Sequence, residues 1–111
     1  MTMTVYALKT CDTCKKAVKA LEAAGYQLEV IDIRSAGLPK ARLSEWLKLH
    51  GEDTLVNRKS TTWRGLDAAT RNTKPLQLLM AYPTLMKRPV IIVDGAIHIG
   101  WSKDVQAKFK L

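Results

Sequence analysis

The 111-residue sequence holds only two cysteines and two histidines. A structural zinc site needs four tetrahedral ligands at characteristic spacings. Cys11 and Cys14 supply two sulfurs, but His50 and His98 stand at no ligand spacing from them, so no metal is expected. Long apolar runs are also missing. Nothing approaches the ~20 apolar residues of a membrane-spanning helix, and Met1–Leu8 is too short for the apolar core of a secretory signal. A cytoplasmic protein without a membrane partner is therefore expected. In that reducing compartment a lasting structural disulfide is not expected, and a Cys-x-x-Cys pair points to redox or metal chemistry instead. Internal repeats and low-complexity stretches are absent. With 47% apolar and 25% charged residues, the composition is that of an ordinary folded domain and not of a disordered tail. A chain of this length forms one domain and can bury a core without covalent staples.

Acidic residues are the scarcer charge, 10 against 18 Lys and Arg, which leaves a net charge of +8. Such a surface draws in anions: nucleic acid, glutathione, a thiol-bound oxyanion or an acidic protein face. The positive residues are scattered and form no dense run. A solvated basic surface accounts for that distribution as well as a binding face does, and direct nucleic-acid binding is not expected.

Val5–Leu8 is short, apolar and β-prone, and reads as a strand. A polar turn, Lys9–Thr13, leads into a helix with Ala17, Val18, Leu21 and Ala24 at helical spacing, Lys15, Lys16 and Lys19 outside, and Gly25 as a left-handed cap. Gln27–Ile33 alternates and reads as a second strand. Strand, helix and strand within such a length describe a parallel pair with its crossover. After a break at Gly37–Pro39, Leu43, Trp46, Leu47 and His50 mark a helix stopped by Gly51. Thr54–Gly65 lacks periodicity and reads as a loop carrying function or an irregular turn, and Leu66–Asn72 as one or two helical turns. Thr73 is the expected cap of a helix with Pro75 in its first turn, ended by Pro83. Pro89–Val93 is a buried strand, Asp94–Gly95 a two-residue hairpin turn and Ala96–Ile99 the return strand. Ser102 caps a last helix carrying Val105 and Phe109. The pattern is βαβ, a helical middle, then ββα.

The chemistry concentrates where the first strand meets the first helix. A thiol at Cys11 faces unpaired backbone N–H groups and the positive end of a helix dipole, both of which favour the thiolate. Cys14, one helical turn on, is placed to resolve a mixed disulfide at Cys11. Two inert cysteines packed under a turn would look similar, but Thr10, Asp12 and Thr13 make the surroundings polar. Arg88–Pro89, directly before a strand, is a candidate cis peptide. Arg88 near Cys11 would hold the thiolate or an attached oxyanion by charge-assisted bonds; as a solvated strand-edge residue it would do neither. Asn57–Arg64 surrounds Trp63 with two arginines, a lysine and hydroxyls, which suits an anion, a stacked ligand or a partner, and equally a solvated loop with Trp63 tucked inward. His98 and Trp46 read as structural residues, on a strand and in the core.

The segments YALKTCDTCKKAVKALEAAG, LVNRKSTTWRGLD, KRPVIIVDG and IGWS, taken together and in this order, resemble the arsenate reductase (ArsC) family, and more closely its Spx- and YffB-like branch. The resemblance spans nearly the whole chain. It implies an α/β, thioredoxin-like (glutaredoxin-like) mixed sheet, with residues 1–35 and 85–111 as the core and 36–84 as a helical insertion. It implies that Cys11 is the catalytic cysteine, with Cys14 as its redox partner. Arg58 matches the arginine that faces the cysteine from the insertion, Arg88 the arginine before the cis proline, and Pro89 that proline. Substrate contacts are expected from Thr10, Asp12, Lys15, Trp63 and Pro89. Glutaredoxin-linked arsenate reductases carry a histidine shortly before the cysteine and a third arginine near the last helix. Here Ala7–Thr10 and Ile99–Ser102 occupy those places, which resembles the Spx and YffB side. The function implied is a glutathione-linked thiol-disulfide reductase, with no bound cofactor, glutathione as co-substrate, and a monomeric state. Its alternatives are an Spx-like redox-sensing transcription regulator that binds RNA polymerase, and an arsenate reductase.

Overall fold

The structure is a computed structural model that describes residues 2–111. It divides into two compact units: the chain through Asp32 together with Arg88–Leu111, and the intervening Ile33–Lys87.

The first unit is built on a four-stranded sheet. Strands β1 (Thr2–Ala7), β2 (Gln27–Asp32), β3 (Val90–Val93) and β4 (Ala96–Ile99) lie in the order β2-β1-β3-β4. β1 pairs parallel with β2, Val5 opposite Val30, and antiparallel with β3, Val5 opposite Ile91. The two central strands carry the apolar runs. Met3, Val5, Tyr6 and Ala7 of β1 and Val90 and Ile91 of β3 are buried, as expected of strands covered on both faces. Edge strand β2 has no fully buried residue, and half-exposed Val30 is its apolar outlier. Asp94 and Gly95 both take positive φ, 51° and 78°. That is the type I′ geometry whose twist matches a hairpin, and it explains why Asp-Gly sits there.

Helix α1 (Asp12–Ala23) connects β1 to β2 and buries Cys14, Ala17 and Leu21. Gly25, at φ 93°, ends it in the left-handed region. Ala24, expected on the buried face, is exposed. It is the cap residue, after the helical face has run out. The C-terminal helix of this unit (Lys103–Lys108) starts at Ser102, whose hydroxyl accepts from Val105 N–H at 3.3 Å. Met3, Val5, Ala7, Cys14, Leu21, Ile91 and Phe109 form the core. Phe109 anchors an aromatic cluster, edge-on to Tyr26 (6.1 Å) and His98 (5.0 Å) and stacked on Trp101 (6.5 Å).

The second unit is helical: α2 (Ile33–Ala36), α3 (Lys40–His50), α4 (Glu52–Leu55), α5 (Thr61–Arg64), α6 (Ala68–Arg71) and α7 (Pro75–Ala81), followed by a 3₁₀ turn at Pro83–Leu85. Leu43, Trp46, Leu55, Val56, Leu78, Leu79, Leu85 and Met86 are its buried apolar residues. The C-terminal helix, last in chain order, is α8.

Several sequence expectations are corrected. Thr54–Gly65 is not a plain loop: it contains the end of α4, a bridge from Val56 to Met86, and α5. Four-residue helices are too short to show a period, but Ser60 signals α5, its hydroxyl accepting from Trp63 N–H at 3.1 Å. Thr73 is not the cap of α7. Pro75 takes the first helical position, which makes Lys74 the cap residue, with no side-chain capping bond. Ile33 belongs to α2 and not to β2, and β1 begins at Thr2 and ends before Leu8.

Candidate functional site

In the first unit Cys11, Cys14, Arg88 and Pro89 come together at the carboxyl end of β1. Cys11 is the N-cap of α1, with extended backbone (φ −87°, ψ 118°). Its amide donates to Leu8 O at 3.0 Å, and its carbonyl accepts the first helical bond from Lys15 N–H at 3.0 Å. The backbone therefore locks the thiol at the helix start, where oxygen side chains usually cap. The bulkier sulfur closes no tight capping bond, but the Cys14 amide faces it and favours its anion. Thr10, Asp12 and Lys15 are exposed around this position. The Arg88–Pro89 peptide is cis, and Pro89 is buried. The Pro89 carbonyl accepts from Gly100 N–H at 2.8 Å. Gly100 has φ 84°, a conformation open to glycine at no steric cost, which gives the Ile99–Ser102 segment its structural reason.

The two thiols are electrostatically unlike. Partial burial pushes the Cys11 thiol up. The Cys14 amide and thiol outweigh it, with help from the Arg88 guanidinium as donor and as charge, and Cys11 is held below the ordinary thiol range. Cys14 is buried, and burial together with the neighbouring Cys11 sulfur pushes it up to about 11. Hydrogen bonding at the Leu8 backbone and the Arg88 charge oppose that rise without reversing it. Cys14 is therefore the protonated donor of the pair, and Cys11 the sulfur more readily ionised. Both cysteines are free.

Arg58 and Trp63 lie in the second unit, in a cluster of their own. Arg58 is paired with Asp53 (2.7 Å) and Glu52 (3.8 Å), and its guanidinium lies 5.5 Å from the Trp63 ring centroid. On the same indole, at 5.3 Å, is Arg71. Arg71 Nε donates to Trp63 O at 3.1 Å and Nη2 to Arg64 O at 3.2 Å. Sequence reasoning missed Arg71, because a lone arginine in a short helical turn carries no spacing signal. It also missed Asp53, whose place five residues before Arg58 fits no helical pairing rule. Trp63 is half-buried by this cluster, between the solvated and the inward-tucked alternatives. Trp46 is core, and His98 packs on Phe109.

Among the described residues no group of three or more His, Cys, Asp and Glu side chains gathers to hold a metal, and no helix is long and apolar enough to cross a membrane.

A mixed four-stranded sheet with a cysteine at the start of its first helix and a cis proline entering its third strand defines a thioredoxin-like α/β protein. The chain belongs to the ArsC family, whose pattern matches residues 6–109. It is similar to an uncharacterized protein of Haemophilus influenzae, at 43% identity over 96% of this chain and 98% of that one. It is also similar to the global transcriptional regulator Spx of Listeria innocua, at 27% identity over 96% of this chain and 86% of the relative. Among solved structures it matches a protein called YFFB with a TM-score of 0.88 and 32% identity, over 96% of each chain.

Proposed function

We propose that this chain is a cytoplasmic, glutathione-linked thiol-disulfide reductase with the Cys11 thiolate as nucleophile. The observation that carries the reading is the placement of Cys11 at the N-cap of α1, with Cys14 buried one helical turn on and Arg88, before the cis proline, acting on the same thiol. The Cys11 thiolate attacks one sulfur of a substrate disulfide. A new S–S bond forms to Cys11, the substrate S–S bond breaks, and the leaving thiolate takes a proton from solvent. A glutathione thiolate then attacks the mixed disulfide and releases Cys11 as thiolate. When the group on Cys11 is itself glutathionyl, the product is oxidised glutathione. Cys14 is the alternative resolving group; its raised pKa keeps it protonated and so slow at neutral pH, which favours glutathione in that step. Arg88 stabilises the negative charge on sulfur at both stages. Arg58, matched by resemblance to an arginine that faces the cysteine, is the second cation for developing or bound negative charge, and engaging an anion means exchanging its Asp53 and Glu52 partners. Thr10, Asp12 and Lys15 border the thiol on the solvent side, where a substrate arrives.

The test is turnover of a glutathionylated model disulfide with glutathione in excess. The expected result is turnover that Cys11→Ser abolishes and Cys14→Ser retains. Glutathione-dependent turnover no faster than the uncatalysed exchange would overturn the reading. The similarity to Spx favours one alternative, a redox-sensing regulator. That reading requires capture of RNA polymerase by one redox state of the Cys11–Cys14 pair and not by the other. Arsenate serves as a third arm of the turnover assay, with no reduction expected because the extra histidine and arginine are missing.

A further inference from the structure

A groove of about 670 Å³ runs along the first half of α1 in the first unit, and neither Cys11 nor Arg88 lines it. Its floor is apolar, made by Ala7, Leu8, Cys14, Val18 and Val30. Val30, on edge strand β2, is 49% exposed and leaves apolar surface at the groove. Cys14 and Val18 are four residues apart on α1, as are Lys15 and Lys19, so an apolar row and an ammonium row run side by side along the helix. Lys9 and Lys16 complete the basic rim, against the two carboxylates Asp12 and Asp32.

These features specify a ligand class. The volume lies in the range of small-molecule sites, which are mostly apolar with a few oriented polar groups. It is far larger than an inorganic ion requires, and the apolar floor rewards an apolar body and not a bare oxyanion. Four ammonium groups against two carboxylates select a negative head group. We propose that this groove binds an amphipathic monocarboxylate, an aliphatic chain laid over Val18 and Val30 with its carboxylate among Lys15, Lys16 and Lys19. The groove adjoins the thiol site and shares Asp12, Cys14 and Lys15 with it, while Cys11 and Arg88 lie outside its lining, and the proposal does not rest on the thiol chemistry.

Decanoate, below its micelle-forming concentration, is the probe. Titrated into the uniformly ¹⁵N-labelled full chain, it is expected to give saturable amide shifts at Lys15, Val18, Lys19 and Val30. Val30→Asp, and separately Lys16→Glu with Lys19→Glu, are each expected to weaken binding by about tenfold or more, the scale of one lost ionic or apolar anchor. Decyltrimethylammonium, with the same chain and the opposite charge, is expected to give no saturable shifts there. Lys108→Glu with Lys110→Glu, which changes the net charge equally at exposed residues outside the groove lining, is expected to leave binding intact. The proposal is overturned if decanoate produces no saturable shifts at these amides. It is overturned equally if the cationic amphiphile binds as well, or if the Lys108 and Lys110 pair matters as much as the groove pair. The lysine variants lie on an exposed helical face, so they remain informative even if Val30→Asp disturbs the sheet edge. The reactivity of Cys11 is read separately and stands or falls without reference to this result.

Discussion

Cys14 donates to Cys11 while remaining a poor nucleophile itself: one sulfur stabilises the anion of the other because its own burial keeps it protonated. The pair is therefore asymmetric before any substrate arrives. The asymmetry comes from depth, since Cys14 points into the core under β1 and Cys11 stands at the half-exposed helix start.

The pH dependence of alkylation tests this directly. With each cysteine resolved by mass spectrometry, Cys11 is expected to react with an apparent pKa below the ordinary thiol value, and Cys14 only as pH approaches about 11. Arg88→Met removes a donor and a charge from the thiolate. It is expected to move the Cys11 profile to higher pH and lower its rate at pH 7. An unchanged profile would show that Arg88 plays no part at the sulfur.

The same shifts predict a pH dependence of stability. The folded-state pKa of Cys11 lies below the ordinary thiol value of 9.0, so this group's contribution is fully present above that value and is lost as pH falls through the folded pKa. The folded-state pKa of Cys14 is raised, so its contribution is present below 9.0 and lost as pH climbs toward about 11. The stability difference between the natural chain and a Cys11→Ser, Cys14→Ala variant, measured in urea across this range, is expected to peak near pH 9. A flat difference would mean that neither thiol is shifted by folding.

In the second unit, Arg71→Ala removes two hydrogen bonds to the end of α5 and one cation–π contact with Trp63. The expected loss is about 1–3 kcal/mol in urea denaturation. Trp63 fluorescence is expected to shift toward that of a more solvated indole. Arg71→Lys, which keeps the charge but not the planar fork, is expected to recover only part of this.

Much of the first unit was legible because its signals are local. Asp94-Gly95 admits few conformations other than a tight hairpin, Gly25 marks the end of α1, and β1 and β3 carry unbroken apolar runs. The position of Cys11 at the start of α1 was legible because a polar turn between a strand and a periodic helical face marks that place. The second unit was harder. α4, α5 and α6 are each four residues long, which is about one turn, so no hydrophobic period can develop. What organises them is long-range: the bridge of Val56 to Met86, the bond from Thr62 to Thr84, and the reach of Arg71 back to Trp63. The lysine groove was hidden for a related reason. Lys15, Lys16 and Lys19 read as an ordinary solvated face, and only the placement of Val30 on the neighbouring edge strand turns that face into a wall.

The strand order β2-β1-β3-β4 has a kinetic consequence. β2 runs parallel to β1 and β3 antiparallel to it. The end of β2 and the start of β3 therefore emerge at the same end of the sheet, roughly 10 Å apart, two interstrand spacings. All of Ile33–Lys87 is spun out between these two points. β1 and β2 can pair as soon as α1 has formed, but β3 meets β1 only after the whole intervening segment has closed on itself. The entropy of that closure is spent before any β1–β3 contact repays it. The sheet is thus a high-contact-order element in a chain otherwise made of short helices. Its completion, and with it the docking of Pro89 beside the carboxyl end of β1, is expected to be the slow event in the folding of the first unit.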